Sequence, residues 1–368
     1  FWGLDFGLPH TFVRPDESRA VNMAVKFGQG DLEPPFFIWP TLYPYLLSVV
    51  YGVYFVIGRA TGSYGSVHDF AVEFATDPSM FYLLDRALSA VFGTLTVLVV
   101  FRVGERLGGR RTGLIAALFL ALAFLHVRDS HFGVTDVTMI FFIMTSTLYI
   151  LKAGDTGRIR HYVLAGLLAG AAASTKYSGF MLVLPMLATH FMLAPRTSER
   201  FKHVIFDRRL YAFLITMLVA FLAGTPYAAP EFSRLVADPS DLTSDLNIGH
   251  HGIALDRGWW HHLRFNLFYG MGWPLLAASF AGIIVLCARA PKKAVVFLAF
   301  PLVYYAYAGK FHAVFARFIL PVVPFLCVAA AIAVNNLREY VARRVSARTA
   351  TTAAWVLAVV LLLPSMVR

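Results

Sequence analysis

Asp16 and Glu17 stand side by side in the run Arg14-Pro15-Asp16-Glu17, and a third acid, Asp136, heads the apolar run Val137–Ile143. Carboxylates in such settings can take a proton from a nucleophile or hold a divalent metal ion. Lys176, Lys310 and Arg317 supply the opposite charge. A lysine neutralises a phosphate as a point charge, and an arginine grips it with a planar fork. Acids and cations gathered on one side of a membrane suit an interfacial enzyme better than a channel.

Each residue also has a plainer role. Asp16 and Glu17 could equally cap the start of a helix running from Ser18 through Phe27, where acids meet the positive end of the dipole. Adjacent carboxylates cannot share a helical face, so Asp16 is the one expected to face a cavity. Asp136 equally suits the cap of the next helix, and Asp129 suits an ion pair with Arg128 or another loop cation. Lys176 follows the small-residue run Ala165–Thr175 and could simply snorkel. Arg317 suits a lipid phosphate or an ordinary headgroup. His250, His251 and Trp259 fit a sugar-stacking surface or an interfacial anchor. The histidine pairs lack the i, i+4 spacing of zinc helices. A divalent ion near Asp16 or Asp136 stays open.

The elements that position these residues are membrane helices. Only 14% of the 368 residues are charged and 58% are hydrophobic, against about 25% charged in ordinary soluble domains. Apolar runs long enough to cross a bilayer recur throughout. They read as ten spans: 83–101, 112–126, 134–151, 162–175, 178–194, 210–226, 265–288, 294–308, 318–336 and 350–366. The net charge of +11 lies in short loops, which points to a bilayer and not to nucleic acid. Every second loop is basic, including Arg106 and Arg110, Lys152 and Arg158, Arg208 and Arg209, Arg289 and Lys292, and Arg338 and Arg343. By the positive-inside rule these loops are cytoplasmic, which puts Asp16, Asp136, Lys176 and Arg317 outside.

The stretch 38–58 resists a simple reading. It is apolar, yet a crossing there would bring an acidic loop with Asp69, Glu73 and Asp77 inside. It is also rich in Tyr and Trp, which prefer the membrane boundary. It is therefore expected to lie along the outer interface. The chain reads as one all-α transmembrane domain: a first outer loop over 1–82, a bundle over 83–366, and a large outer loop over 227–262. Cys287 and Cys327 have no paired spacing, so neither a disulfide framework nor a zinc site is expected.

Several stretches together resemble the GT-C membrane glycosyltransferases. They are Gly3–His10, Arg14–Glu17, Gly30–Pro34 and Trp39–Tyr43, then Arg86 with Gly93–Val97, Gly108–Arg111, Asp136, Thr175-Lys176, and Arg317-Phe318 with Pro321 and Pro324. The nearest relatives look like the protein mannosyltransferases of glycosyltransferase family 39 and the enzymes that place aminoarabinose on lipid A. The resemblance implies sugar transfer, with inversion, from a polyprenyl-phosphate donor to a protein, lipid or glycan acceptor outside the cytoplasm. It implies a multi-pass protein of the inner (plasma) membrane. Asp16 matches the catalytic aspartate of the first loop, with Glu17 beside it, and Asp136 matches the second acidic position. Lys176 and Arg317 would meet the lipid phosphate. From the residues themselves, Lys310 is read as a further phosphate contact, and His250, His251 and Trp259 as substrate contacts. The family has interfacial helices in its first loop. A first membrane helix before Phe1 and further sequence after Arg368 are expected. The main competing class is a transporter or flippase of lipid-linked glycans, which would call for mid-membrane polar residues and symmetric halves.

Overall fold

The computed structural model describes residues 3–10, 14–194, 200–249 and 255–366. Among them there are helices and no strands. The helices are α1 (Pro15–Gly28), α2 (Leu42–Thr61), α3 (Val67–Thr76), α4 (Ser79–Leu122), α5 (Phe124–Ser130), α6 (Thr135–Thr156), α7 (Ile159–Thr175), α8 (Val183–Leu193), α9 (Arg200–Ile205) and α10 (Arg208–Gly224). Then come α11 (Phe232–Ile248), α12 (Gly258–His261), α13 (Phe268–Met271), α14 (Trp273–Arg289), α15 (Pro291–Gly309), α16 (Val323–Val341) and α17 (Ala347–Met366). The expected all-α polytopic architecture is present, with helices at each of the apolar stretches.

The 44 residues of α4 are two helices. Gly109 breaks them with φ 86° and ψ 172°, a conformation that only glycine takes without strain. Gly104 and Gly113 then meet backbone to backbone. In a straight helix, nine residues would hold them about 13 Å apart. The chain therefore doubles back at the basic loop, as the charge pattern requires.

The two ends of the bundle carry different chemistry. Arg106 pairs with Asp155 at 2.6 Å, Arg209 donates to the Gly157 carbonyl at 3.2 Å, and Arg289 pairs with Glu339 at 3.0 Å. These contacts join the basic loops to one another. The first residues of α6 and the last of α7 lie at the opposite end, with the start of α16.

Small residues set the helix spacing. A Cβ on Gly166 would strike the Phe213 carbonyl, and one on Gly170 the Met217 carbonyl. α7 and α10 therefore pack with their backbones almost touching, the use of small residues expected between membrane helices.

Five helices among the described residues are long and apolar enough to cross a membrane, or six if Gly258–Met271 and Trp273–Arg289 form one bent span. The span read over 265–288 falls on this bent pair. The axis turns by 111° at Gly272, whose φ is 82°. α2 also qualifies by length and composition, yet its contacts fall on helix ends. Thr41, just before it, donates to the carbonyl of Gly224, the last residue of α10. Tyr43 and Tyr51 reach Asp85 and Phe81, in the first two turns of α4. These contacts favour a course across the bundle's end, as the position of its tyrosines suggests.

Candidate active site

Four of the expected residues meet in one cavity of about 530 Å³: Asp16, Asp136, Lys176 and Arg317. Local structure explains how each gets there. Pro15 opens α1 at its first position, where its missing N–H costs nothing, so Asp16 falls in the first turn. Neither Asp16 nor Glu17 caps the helix. Asp136 lies in the first turn of α6. Lys176 sits in extended conformation between α7 and a 3-10 turn over Tyr177–Leu182. Arg317 lies in a second 3-10 turn, Ala316–Val322, that contains Pro321 and leads into α16. Both cations thus occupy helix breaks that turn their side chains out of the regular packing.

The acids and the cations are each other's partners. Arg317 Nη2 stands 2.6 Å from Asp16 Oδ2, and Lys176 Nζ donates to Asp136 Oδ1 at 2.7 Å. Both cations lie 5.4 Å from the centre of the Phe318 ring, which forms a shared aromatic floor. Cations over a ring face are held by its quadrupole without the ring competing for a phosphate's oxygens. The remaining lining is largely apolar and aromatic, with Phe180, Phe221, Leu235, Tyr304 and Phe315 among its members. An oily cavity with a few convergent charges is the usual form of a ligand site.

Glu17, Lys310 and Trp259 are expected at the site from sequence, and the structure places them outside its lining. Glu17 is 0% exposed. Its two oxygens accept from Arg86 Nε and Nη2, both at 2.9 Å, and Oε1 also accepts from the Gly133 N–H at 2.8 Å. Arg86 Nη1 spends its donors on the Leu4 and Phe6 carbonyls at 2.7 and 2.8 Å. Glu17 is therefore a strut. It fixes the helix that carries Asp16 and the turn that leads into Asp136. Lys310 is exposed and rests over the Tyr307 and Phe311 rings. Trp259 donates its indole N–H to the Ala306 carbonyl at 3.0 Å. His250 and His251 lie outside the described residues.

Sequence reasoning missed two parts of the lining, Arg19 and α11, and the buried Asp85 that packs against the lining residue Gly133. Arg19 is a further lining cation, set over the Trp39 ring at 5.9 Å. It lies one turn beyond Asp16 on α1, a spacing that could have flagged it. Asp85 is buried and accepts from the Tyr43 hydroxyl at 2.5 Å, and a Cβ on Gly133 would overlap its carboxylate. α11, inside the stretch read as a loop, contributes Leu235, Val236 and Pro239 to the cavity wall. It is tied down by Asp238, which accepts from the Phe37 N–H at 2.6 Å, and by Arg234, which pairs with Glu33 at 3.0 Å. Asp129 takes the structural role expected of it, pairing with Arg128 at 2.7 Å and Arg14 at 3.0 Å. Burial pushes its carboxyl above the usual range, against the opposing pull of those two guanidinium groups.

A divalent ion finds poor provision here. No group of three or more His, Cys, Asp or Glu side chains able to hold one occurs among the described residues. Asp16 and Asp136 each already face a cation that would repel it.

Residues 85–226 match the family model described as dolichyl-phosphate-mannose-protein mannosyltransferase. No curated protein matches the chain in sequence. Among solved structures, one match is ArnT from Cupriavidus metallidurans bound to undecaprenyl phosphate, with TM-score 0.62 and 18% identity over 88% of this chain and 56% of that one. Another is the oligosaccharyltransferase AglB from Archaeoglobus fulgidus, in complex with an inhibitory peptide and a dolichol-phosphate. Its TM-score is 0.63, with 15% identity over 96% of this chain and 51% of that one. The chain has the GT-C fold. It spans about half the length of the solved GT-C structures it matches.

Proposed function

We propose that this GT-C chain carries the active site of an inverting membrane glycosyltransferase. It would move a sugar from a polyprenyl-phosphate donor to an acceptor on the extracytoplasmic side. One observation carries the reading: Asp16, Asp136, Lys176 and Arg317 share a single cavity whose other walls are mostly apolar. That cavity offers greasy surface for a prenyl chain, two cations for a phosphate, and acids for a proton. The undecaprenyl phosphate and dolichol-phosphate bound by the two similar structures support the same ligand class.

In the reaction, an acceptor hydroxyl or amine attacks the anomeric carbon on the face opposite the phosphate. The new bond forms as the bond from that carbon to the phosphate oxygen breaks, and its electron pair stays on the departing polyprenyl phosphate. The acceptor's proton goes to Asp16. Lys176 and Arg317 offset the charge that grows on the leaving phosphate, where donors in a cavity shielded from water count most. Charge develops on the sugar as it does in glycoside hydrolysis, through an oxocarbenium-like transition state.

The ion pairs give this scheme an order. Arg317 pairs with Asp16 and Lys176 with Asp136. A donor phosphate competes for both cations and leaves Asp16 free to act as a base. Proton removal is thereby coupled to the presence of the donor.

The test is direct. Membranes bearing the full-length protein are supplied with a panel of polyprenyl-phosphate sugars, and products are identified by mass spectrometry. A glycosylated acceptor that depends on the protein supports the reading. Movement of intact lipid-linked glycan across the bilayer, with no transfer, would favour a transporter.

A further inference from the structure

At the basic end of the bundle, a second cavity of about 430 Å³ opens between α14, α16 and α17. Ala278, Ala281 and Ala333 line it with small side chains, and Leu357 and Leu361 of α17 add apolar surface. Its charged lining residues are Arg289 and Arg343, with no carboxylate among them. The groove is separate from the candidate active site. Arg317 precedes Val323, and the groove begins on α16 only at Ala333, so about 15 Å of helix divides the two.

Its charges are arranged for one anion. Arg289 Nη1 donates to Glu339 at 3.0 Å, and Glu339 also accepts from Asn335 at 3.1 Å. With its amide turned as the guanidinium donors demand, Asn336 accepts from Arg289 at 2.6 to 3.0 Å. Arg289 is thus fixed between α14 and α16, and Glu339 offsets its charge. The guanidinium of Arg343 has no ion pair or hydrogen bond among the described residues. The site is left with one net positive charge, which a single phosphodiester matches. Outward-facing Ile284 and Val360, 69% and 49% exposed, show that the flanking helix faces are apolar.

We propose that this groove holds one anionic phospholipid of the bilayer. Its phosphate rests between Arg343 and Arg289, and an acyl chain runs along Ala278, Ala281 and Leu361. Basic pockets between membrane helices on the positive side are where such headgroups bind. Small wall residues leave the chain room to enter.

Native mass spectrometry of the full-length protein in mild detergent tests this, after incubation with phosphatidylglycerol, phosphatidylcholine, polyprenyl phosphate or glycerol 3-phosphate. The expected result is one retained phosphatidylglycerol, favoured over phosphatidylcholine by roughly tenfold or more. The double variant Arg289→Gln/Arg343→Gln should lose that preference. Ala281→Leu, which fills the groove and leaves the charges intact, should lower retention of the lipid. Thermal unfolding of each variant shows whether it is folded, and Ala281→Leu keeps the proposal testable if the charge variant is not. Equal retention of phosphatidylcholine would overturn the proposal, as would unchanged binding by the folded variants. Glycerol 3-phosphate binding as well as the lipid would overturn the assignment to a phospholipid in favour of a free-phosphate site. Preferential uptake of polyprenyl phosphate would overturn the assignment to a bilayer phospholipid.

Discussion

Asp16 and Arg317 face each other at 2.6 Å, one from the first turn of α1 and the other from the 3-10 turn before α16. Their side chains are 27% and 18% exposed, so the pair is screened only in part. The residue suited to take a proton and the residue suited to hold a phosphate are thereby locked together until something displaces one of them.

Replacing the cation should therefore act on the donor. Arg317→Gln removes charge-assisted hydrogen bonds to a phosphate, each of which contributes about 1.5–3 kcal/mol. The expected outcome is a rise in the donor's apparent Kd of roughly tenfold or more, measured by titration with a polyprenyl-phosphate sugar. Unchanged donor affinity would remove Arg317 from phosphate recognition.

Lys176 and Asp136 form the second pair, and their energies should not add. Lys176→Ala should weaken donor binding on its own. In a double-mutant cycle with Asp136→Asn, the coupling on donor affinity should exceed about 0.5 kcal/mol, as expected for residues in direct contact. A coupling near zero would mean that the contact at 2.7 Å plays no part in binding.

The strut beneath the site predicts a stability effect. Arg86→Met leaves Glu17 buried without its partner, and breaking a buried pair in this way costs about 3–5 kcal/mol. Thermal unfolding in detergent should show a large fall in Tm. Gly133→Ala should also destabilise, because its Cβ would overlap the Asp85 carboxylate. A Tm within a degree of the parent for either variant would contradict this role.

At the opposite end, Asp207 caps α10 and accepts from the Arg209 backbone N–H at 2.8 Å. Hydrogen bonds from Arg209 hold its carboxyl below the usual range. A depressed carboxyl contributes stability that is present above its unfolded value of about 3.9 and is lost as pH falls through the folded one. Asp207→Asn should flatten the acid limb of a Tm-against-pH curve below about pH 4. An unchanged limb would rule the contact out as a source of acid sensitivity.

How much of this was legible depended on the kind of signal. The alternation of basic loops was readable because charge resists crossing a bilayer, and it placed Asp16, Asp136, Lys176 and Arg317 at one end without any coordinates. The turn at Gly109 followed from the same signal. The role of Glu17 was not readable, since its partner Arg86 and the Gly133 N–H are distant in sequence and only packing unites them. The bend at Gly272 was missed although Gly270, Gly272 and Pro274 punctuate the run, because hydropathy alone carries no information about direction. α11 was hidden because a helix lying over a cavity lacks the long apolar run of a span. His250 and His251 fall outside the described residues, so their expected role stands as a proposal.

Asp16→Asn in the full-length protein is the decisive variant. With a polyprenyl-phosphate sugar as donor, donor binding and sugar transfer are measured on the same preparation. Loss of the base should lower transfer by roughly 100-fold or more, while the donor still binds and the protein still inserts in the membrane. Transfer at a near-parental rate would contradict the account.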